Sequence, residues 1–96
     1  MKMQLQFFSR PTKEDTQYEG VGKPINLSAD VISLLPEAGE KIRLFEYLHG
    51  VSYAEWVAYN LKSHPCIVDY TEKVFQELKN GEIEMRLHIF VTPVEE

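Results

Sequence analysis

The chain has a single cysteine, Cys66. That excludes an internal disulfide and predicts a reducing, cytoplasmic setting. It also lacks any apolar run near the roughly 20 residues a membrane-spanning helix needs. The first eight residues alternate with Gln4 and Gln6 and have no signal-peptide centre. Positive charge is sparse as well. Ten Lys and Arg stand against fifteen Asp and Glu, for a formal net charge of -5, and the basic residues are scattered singly. A phosphate grip needs them clustered, so direct nucleic-acid binding is not expected. The acidic excess reads as solubility. The short clusters Glu14-Asp15, Glu82/Glu84 and Glu95-Glu96 are too sparse to imitate a nucleic acid. Repeats, low-complexity segments and zinc-finger or helix-turn-helix patterns are all missing. Gly20-Val21-Gly22-Lys23 is too short for a phosphate loop and lacks its Ser/Thr.

What remains is 96 residues with an ordinary 44% apolar fraction, enough for one domain with a modest core. The clearest signal is the stretch from Glu82 to Thr92. Ile83, Met85, Leu87, Ile89 and Val91 fall on every second position, with Glu82, Glu84, Arg86 and His88 between them. Side chains alternate across a strand, so the stretch predicts a β-strand with one apolar face. Asn80-Gly81 opens it and Pro93 closes it.

Lys2 to Ser9 predicts another strand, with Met3, Leu5 and Phe7 inward and Phe8 outward. Residues 10–23 predict a long, flexible, polar loop held by Tyr18 and Val21. Pro24 to Leu27 predicts a short strand with Ile25 and Leu27 inward. Val31, Leu34 and Leu35 fit a brief helical turn after Ser28, ended by Pro36 and a turn at Glu37-Ala38-Gly39. Lys41 to Leu48 predicts a third strand. Residues 51–63 are ambiguous. Ser52 and Glu55 have capping-box spacing, with Val51 and Trp56 as a staple, whereas 56–61 is rich in strand formers. Asp69 and Glu72 repeat the capping-box spacing, and Val74, Phe75 and Leu78 share a helical face, which predicts a helix over 70–79. The expected fold is α+β: a small antiparallel sheet of about four strands with one or two short helices. A small β-barrel is the alternative.

Four constellations carry chemistry. Placing strand 41–48 beside strand 82–92 puts Lys41 and Arg43 near Glu82, Glu84 and Arg86. It also gathers Phe45, Tyr47, His88 and Phe90 on one face, where Phe8 can join them. With Arg43 and Arg86, these form the candidate binding surface, because aromatic patches on a wet face mark interfaces. His64, Cys66 and His88 are zinc-type ligands, with Asp69 or His49 as a fourth, but His-x-Cys is not a recognised ligand pair. Cys66 as a nucleophile needs a base that its surroundings do not supply. Glu82 and Glu84 share a strand face, yet acid–base work needs one of them desolvated. No cofactor is expected.

These features predict a small non-catalytic protein-binding module, an adaptor or inhibitor of bacterial or phage type, acting on a protein partner or on itself. A domain binding a small nucleotide-like anion through aromatics and arginine is the alternative. A metal- or thiol-dependent enzyme is the second alternative.

Overall fold

The structure, a computed structural model, describes residues 2–27, 35–43 and 65–94. Among them the chain is all strand. Five strands run β1 (Lys2–Ser9), β2 (Glu19–Asn26), β3 (Lys41–Ile42), β4 (Cys66–Glu77) and β5 (Ile83–Pro93). They form one curled, half-barrel sheet in the order β2-β1-β5-β4-β3. This corrects the α+β expectation. There is no helix among the described residues, and the sheet is mixed rather than antiparallel. The small-barrel alternative comes nearer, although the edges β2 and β3 are not paired with each other. No helix among the described residues is long and apolar enough to cross a membrane.

Two hairpins meet at the centre. β1 pairs antiparallel with β2, β4 pairs antiparallel with β5, and β1 and β5 join the two in parallel from Lys2↔Glu84 to Ser9↔Val91. The alternation of β1 and β5 therefore builds one continuous apolar face. Leu5, Phe7, Met85, Leu87, Ile89 and Val91 are buried there with Val21, Cys66 and Val68. Ile25, Leu27 and Ile42 pack against them, as expected of inward positions. Each large side chain fully buried contributes about 1.5–3 kcal/mol.

The 70–79 segment is strand, not helix. Its capping signal is taken up elsewhere, because the Asp69 carboxylate binds side chains rather than a backbone N–H. Tyr70, Thr71, Val74 and Phe75 are strand formers, and Asn80-Gly81 serves a hairpin instead of a helix end. The Gly81 N–H donates to Leu78 C=O at 3.0 Å, the Leu78 N–H donates to Glu82 C=O at 2.7 Å, and Gly81 has φ +85°. A left-handed residue at that point is the bulge that lets a tight turn close a hairpin.

Residues 19–23 belong to β2, which leaves 10–18 as the connecting loop. Opposite Gln6 the β1–β2 register shifts, and Gly22, at φ 74°, and Pro24 occupy the irregularity. Proline is tolerated there because β2 is an edge strand. β3 pairs with β4, not with β5 (Lys41↔Ile67, Ile42↔Cys66). Lys41 and Arg43 therefore do not face Glu82 and Glu84 across a ladder. The turn expected at Glu37–Gly39 is present, with Glu40 N–H donating to Glu37 C=O. The predicted turn at 28–34, the rest of the 41–48 strand and the 51–63 segment lie outside the described residues.

Candidate functional site: an aromatic row under a carboxylate-centred network

The face opposite the core is organised in rows. Because β1 and β5 run parallel in register, even-numbered residues of both strands stand side by side on this face. Phe8 lies beside Phe90, and Phe90 faces Tyr70 across β4. The Phe8 and Phe90 rings are 5.1 Å apart and stacked, and the Phe90 and Tyr70 rings are 4.3 Å apart and nearly parallel. Tyr18 rises from the loop and meets Phe90 edge-on at 5.1 Å and Tyr70 edge-on at 5.8 Å. His88, one row below, contacts Phe8 at 4.7 Å. Offset and edge-to-face pairs of this kind add about 0.5–1.5 kcal/mol each beyond area burial. Tyr70 is nonetheless 44% exposed, so the row is open to solvent at its β4 end.

A bulge sets this geometry. The β4–β5 register shifts between Val68 and Tyr70. A bulge breaks the alternation of side chains and re-aims one of them. Val68 stays in the core, while Asp69 and Tyr70 both reach the outer face.

Asp69 is the centre of the row above. Its Oδ2 accepts the Tyr18 hydroxyl at 2.6 Å and the Thr92 hydroxyl as well. The Arg10 guanidinium lies 3.6 Å from the same oxygen. Arg10 also donates from Nε to Thr92 Oγ1 at 2.8 Å and from Nη1 to the Asp15 carbonyl at 2.8 Å. It sits 5.0 Å above the Tyr18 ring as well. Asp15 closes the loop in turn, accepting from the Thr12 backbone N–H and hydroxyl. The Tyr18 phenol is pushed up to about 12, first by burial, then by its hydrogen bond to Asp69 and that carboxylate's charge. It therefore remains a hydrogen-bond donor at neutral pH.

Of the residues the sequence singled out, Phe90, His88 and Phe8 are brought together, and Tyr18 serves as the anchor expected of it. Arg86 is on the same face two rows below Phe90, and its Nε lies 3.3 Å from Glu84 Oε1. Arg43 follows β3, with β4 standing between it and β5. Phe45, Tyr47, His64 and His49 lie outside the described residues. Arg10, Tyr70 and Thr92 are not found from the sequence, and Asp69 is singled out there only as a metal-ligand and helix-capping candidate.

The weak metal set is divided, since Cys66 faces the core and His88 the opposite side of the sheet. No cluster of three or more metal-type ligands occurs among the described residues. Cys66 is fully buried, and burial, followed by the charge of Asp69, pushes its thiol up to about 12. That is the reverse of what an attacking thiolate needs. Glu82 is in the hairpin turn and Glu84 is buried against Arg86, so they do not form an acid–base pair. Neither a comparison with protein-family models nor searches of curated proteins and solved structures gave a match.

Proposed function

We propose that the chain is a small protein-binding module whose working surface is the row Phe8–Phe90–Tyr70 with Tyr18 above it. The observation that carries this reading is the contiguous aromatic row on the face away from the core, left open at Tyr70. Rigid aromatics, some with a polar tip, are the side chains that dominate protein interfaces. The network around Asp69 fixes Tyr18 and the bulge beforehand, which lowers the ordering cost of binding.

The anion-binding alternative has aromatic stacking in its favour. It is weakened because Arg10 and Arg86 are engaged, Arg10 by Asp69, Thr92 and the Asp15 carbonyl and Arg86 by Glu84. A net charge of -5 opposes it further.

The test is selection of peptide ligands from a displayed random library, with NMR mapping of the recovered ligands on the protein. Binders are expected to perturb Phe8, Tyr18, Tyr70 and Phe90, and Tyr70→Ala is expected to weaken them about 30-fold, the effect of a typical hot spot. Ligands that map elsewhere, or an affinity indifferent to Tyr70→Ala, would refute the reading.

A further inference from the structure

The row just described lies on a face of the sheet. A different surface is the lateral edge of β4. β3 pairs with β4 only at Cys66 and Ile67, and the strap before it bonds Val68 through Gly39 and Glu40. Beyond that point β4 continues to Glu77 with no further strand beside it among the described residues. Thr71, Glu72, Lys73, Phe75, Gln76 and Glu77 are all exposed. Phe75 is 63% exposed, and Ile83, on the same face of the hairpin, is 50% exposed.

The direction of the backbone groups follows from the turn. Leu78 donates its N–H towards β5, to Glu82. N–H and C=O direction alternates along a strand in an antiparallel ladder. Gln76, Val74 and Glu72 therefore bond β5, while Glu77, Phe75, Lys73 and Thr71 point their N–H and C=O away from it. Among the described residues nothing pairs with that row, which makes it a template for another strand.

The sequence along the edge is self-complementary. When two copies pair antiparallel about a two-fold axis through Phe75, Phe75 meets Phe75 of the second copy. Lys73 meets Glu77 on one side of the axis and Glu77 meets Lys73 on the other. Val74 lies opposite Gln76. Lys73, Phe75 and Glu77, whose backbone groups point away from β5, meet one another in this register, so these pairs can exchange both backbone hydrogen bonds. Shifting the axis to Lys73 sets two lysines against each other, and shifting it to Val74 loses both ion pairs. Opposite charges directly across a ladder stabilise and like charges destabilise, so charge selects the Phe75 register.

We propose that the chain forms a two-fold dimer by antiparallel pairing of the Lys73–Glu77 edge with the same edge of a second copy, joining two half-barrel sheets into one. The dimer axis passes through Phe75, and the aromatic row stays accessible in both copies. A short edge-to-edge contact of this kind is a small interface and belongs among the weaker, reversible ones.

Sedimentation equilibrium over a concentration series tests the proposal. The mass is expected to rise from 11.2 kDa to twice that value and stop there. Lys73→Glu and Glu77→Lys each replace two symmetry-related attractive contacts with repulsive ones, and each is expected to weaken dimerisation about tenfold. The double swap Lys73→Glu with Glu77→Lys restores the pairing to near the wild-type constant. Phe75→Pro removes an outward N–H that β5 does not use and is expected to abolish the dimer, with circular dichroism checking the fold. A wild-type chain that is monomeric throughout, a mass that grows past two copies, or a double swap that fails to restore association each overturns the proposal. The Tyr70→Ala variant is expected to dimerise normally, which separates this outcome from the fate of the aromatic binding surface.

Discussion

Removing the Asp69 carboxylate tests how the outer face is held. One oxygen accepts from Tyr18 and Thr92 and lies 3.6 Å from Arg10. The contributions differ with burial. The Arg10 and Asp69 side chains are 20% and 22% exposed, and ion pairs that water reaches are worth about 0–1 kcal/mol. Thr92 is only 5% exposed, so Asp69→Ala leaves its hydroxyl proton with no acceptor in a dry place. A buried donor stranded in this way costs about 1–3 kcal/mol. Tyr18 is only half-buried and finds water, so it loses about 1 kcal/mol or less. The sum is about 3 kcal/mol, or about 12–24 °C in Tm for a domain of this size. Thr92→Val in the Asp69→Ala background removes the stranded hydroxyl and is expected to recover part of the loss.

Urea unfolding followed by circular dichroism measures these costs, and a Tyr18→Phe, Asp69→Asn double-mutant cycle isolates the pair, with an expected coupling near 1 kcal/mol. The Tyr18 titration is an independent readout. Burial is the largest cause of its rise to about 12, and Asp69 supplies the next two. Asp69→Asn is therefore expected to lower the Tyr18 pKa without returning it to the ordinary phenol value. A loss below about 0.5 kcal/mol in Asp69→Ala, or an unmoved Tyr18 titration, would refute the reasoning.

Further predictions concern the core, the hairpin and alkaline pH. Ile89→Ala, at a fully buried site on the central strand, is expected to cost about 2–5 kcal/mol in urea unfolding. Gly81→Val, at φ +85°, places a β-branched residue in the left-handed region and is expected to cost about 1–3 kcal/mol, whereas Gly81→Asn costs less. The Cys66 thiol is raised from 9.0 to about 12 in the fold, so it keeps its proton when the unfolded chain has lost one. Its contribution is complete below pH 9 and is lost as pH rises from 9 towards 12. Stability should fall there by up to about 1.4 kcal/mol per pH unit from this group. Cys66→Ala should show a shallower alkaline slope, and an unchanged slope would contradict the assignment.

Much of the outer face was legible because period-two alternation survives in β1 and β5. Counting parity placed Phe8, His88 and Phe90 on one side and Leu5, Phe7, Leu87 and Ile89 on the other, as the structure has them. Strand neighbours were not legible. The parallel β1–β5 pairing joins the two ends of the described chain and has no local sequence mark, so β3 was set beside β5 when it borders β4.

The helix expected over 70–79 failed for a related reason. The bulge at Asp69 reverses parity, so the side chains on the core side of the sheet run Cys66, Val68 and then, past the buried part, Thr71, Lys73, Phe75. No single alternation can be read through that segment, while Val74, Phe75 and Leu78 happen to fit a helical spacing. Asn80-Gly81 suits either a helix end or a hairpin and cannot arbitrate. The network around Asp69 was lost with the bulge that creates it. Two of its members were nevertheless within reach of the sequence. Arg10 continues the parity of Phe8, and Thr92 continues that of Phe90. Once β1 and β5 are known to run in parallel register, one further step along both strands sets Arg10 beside Thr92; that the carboxylate joining them comes from β4, on the far side of β5, is visible only in the structure.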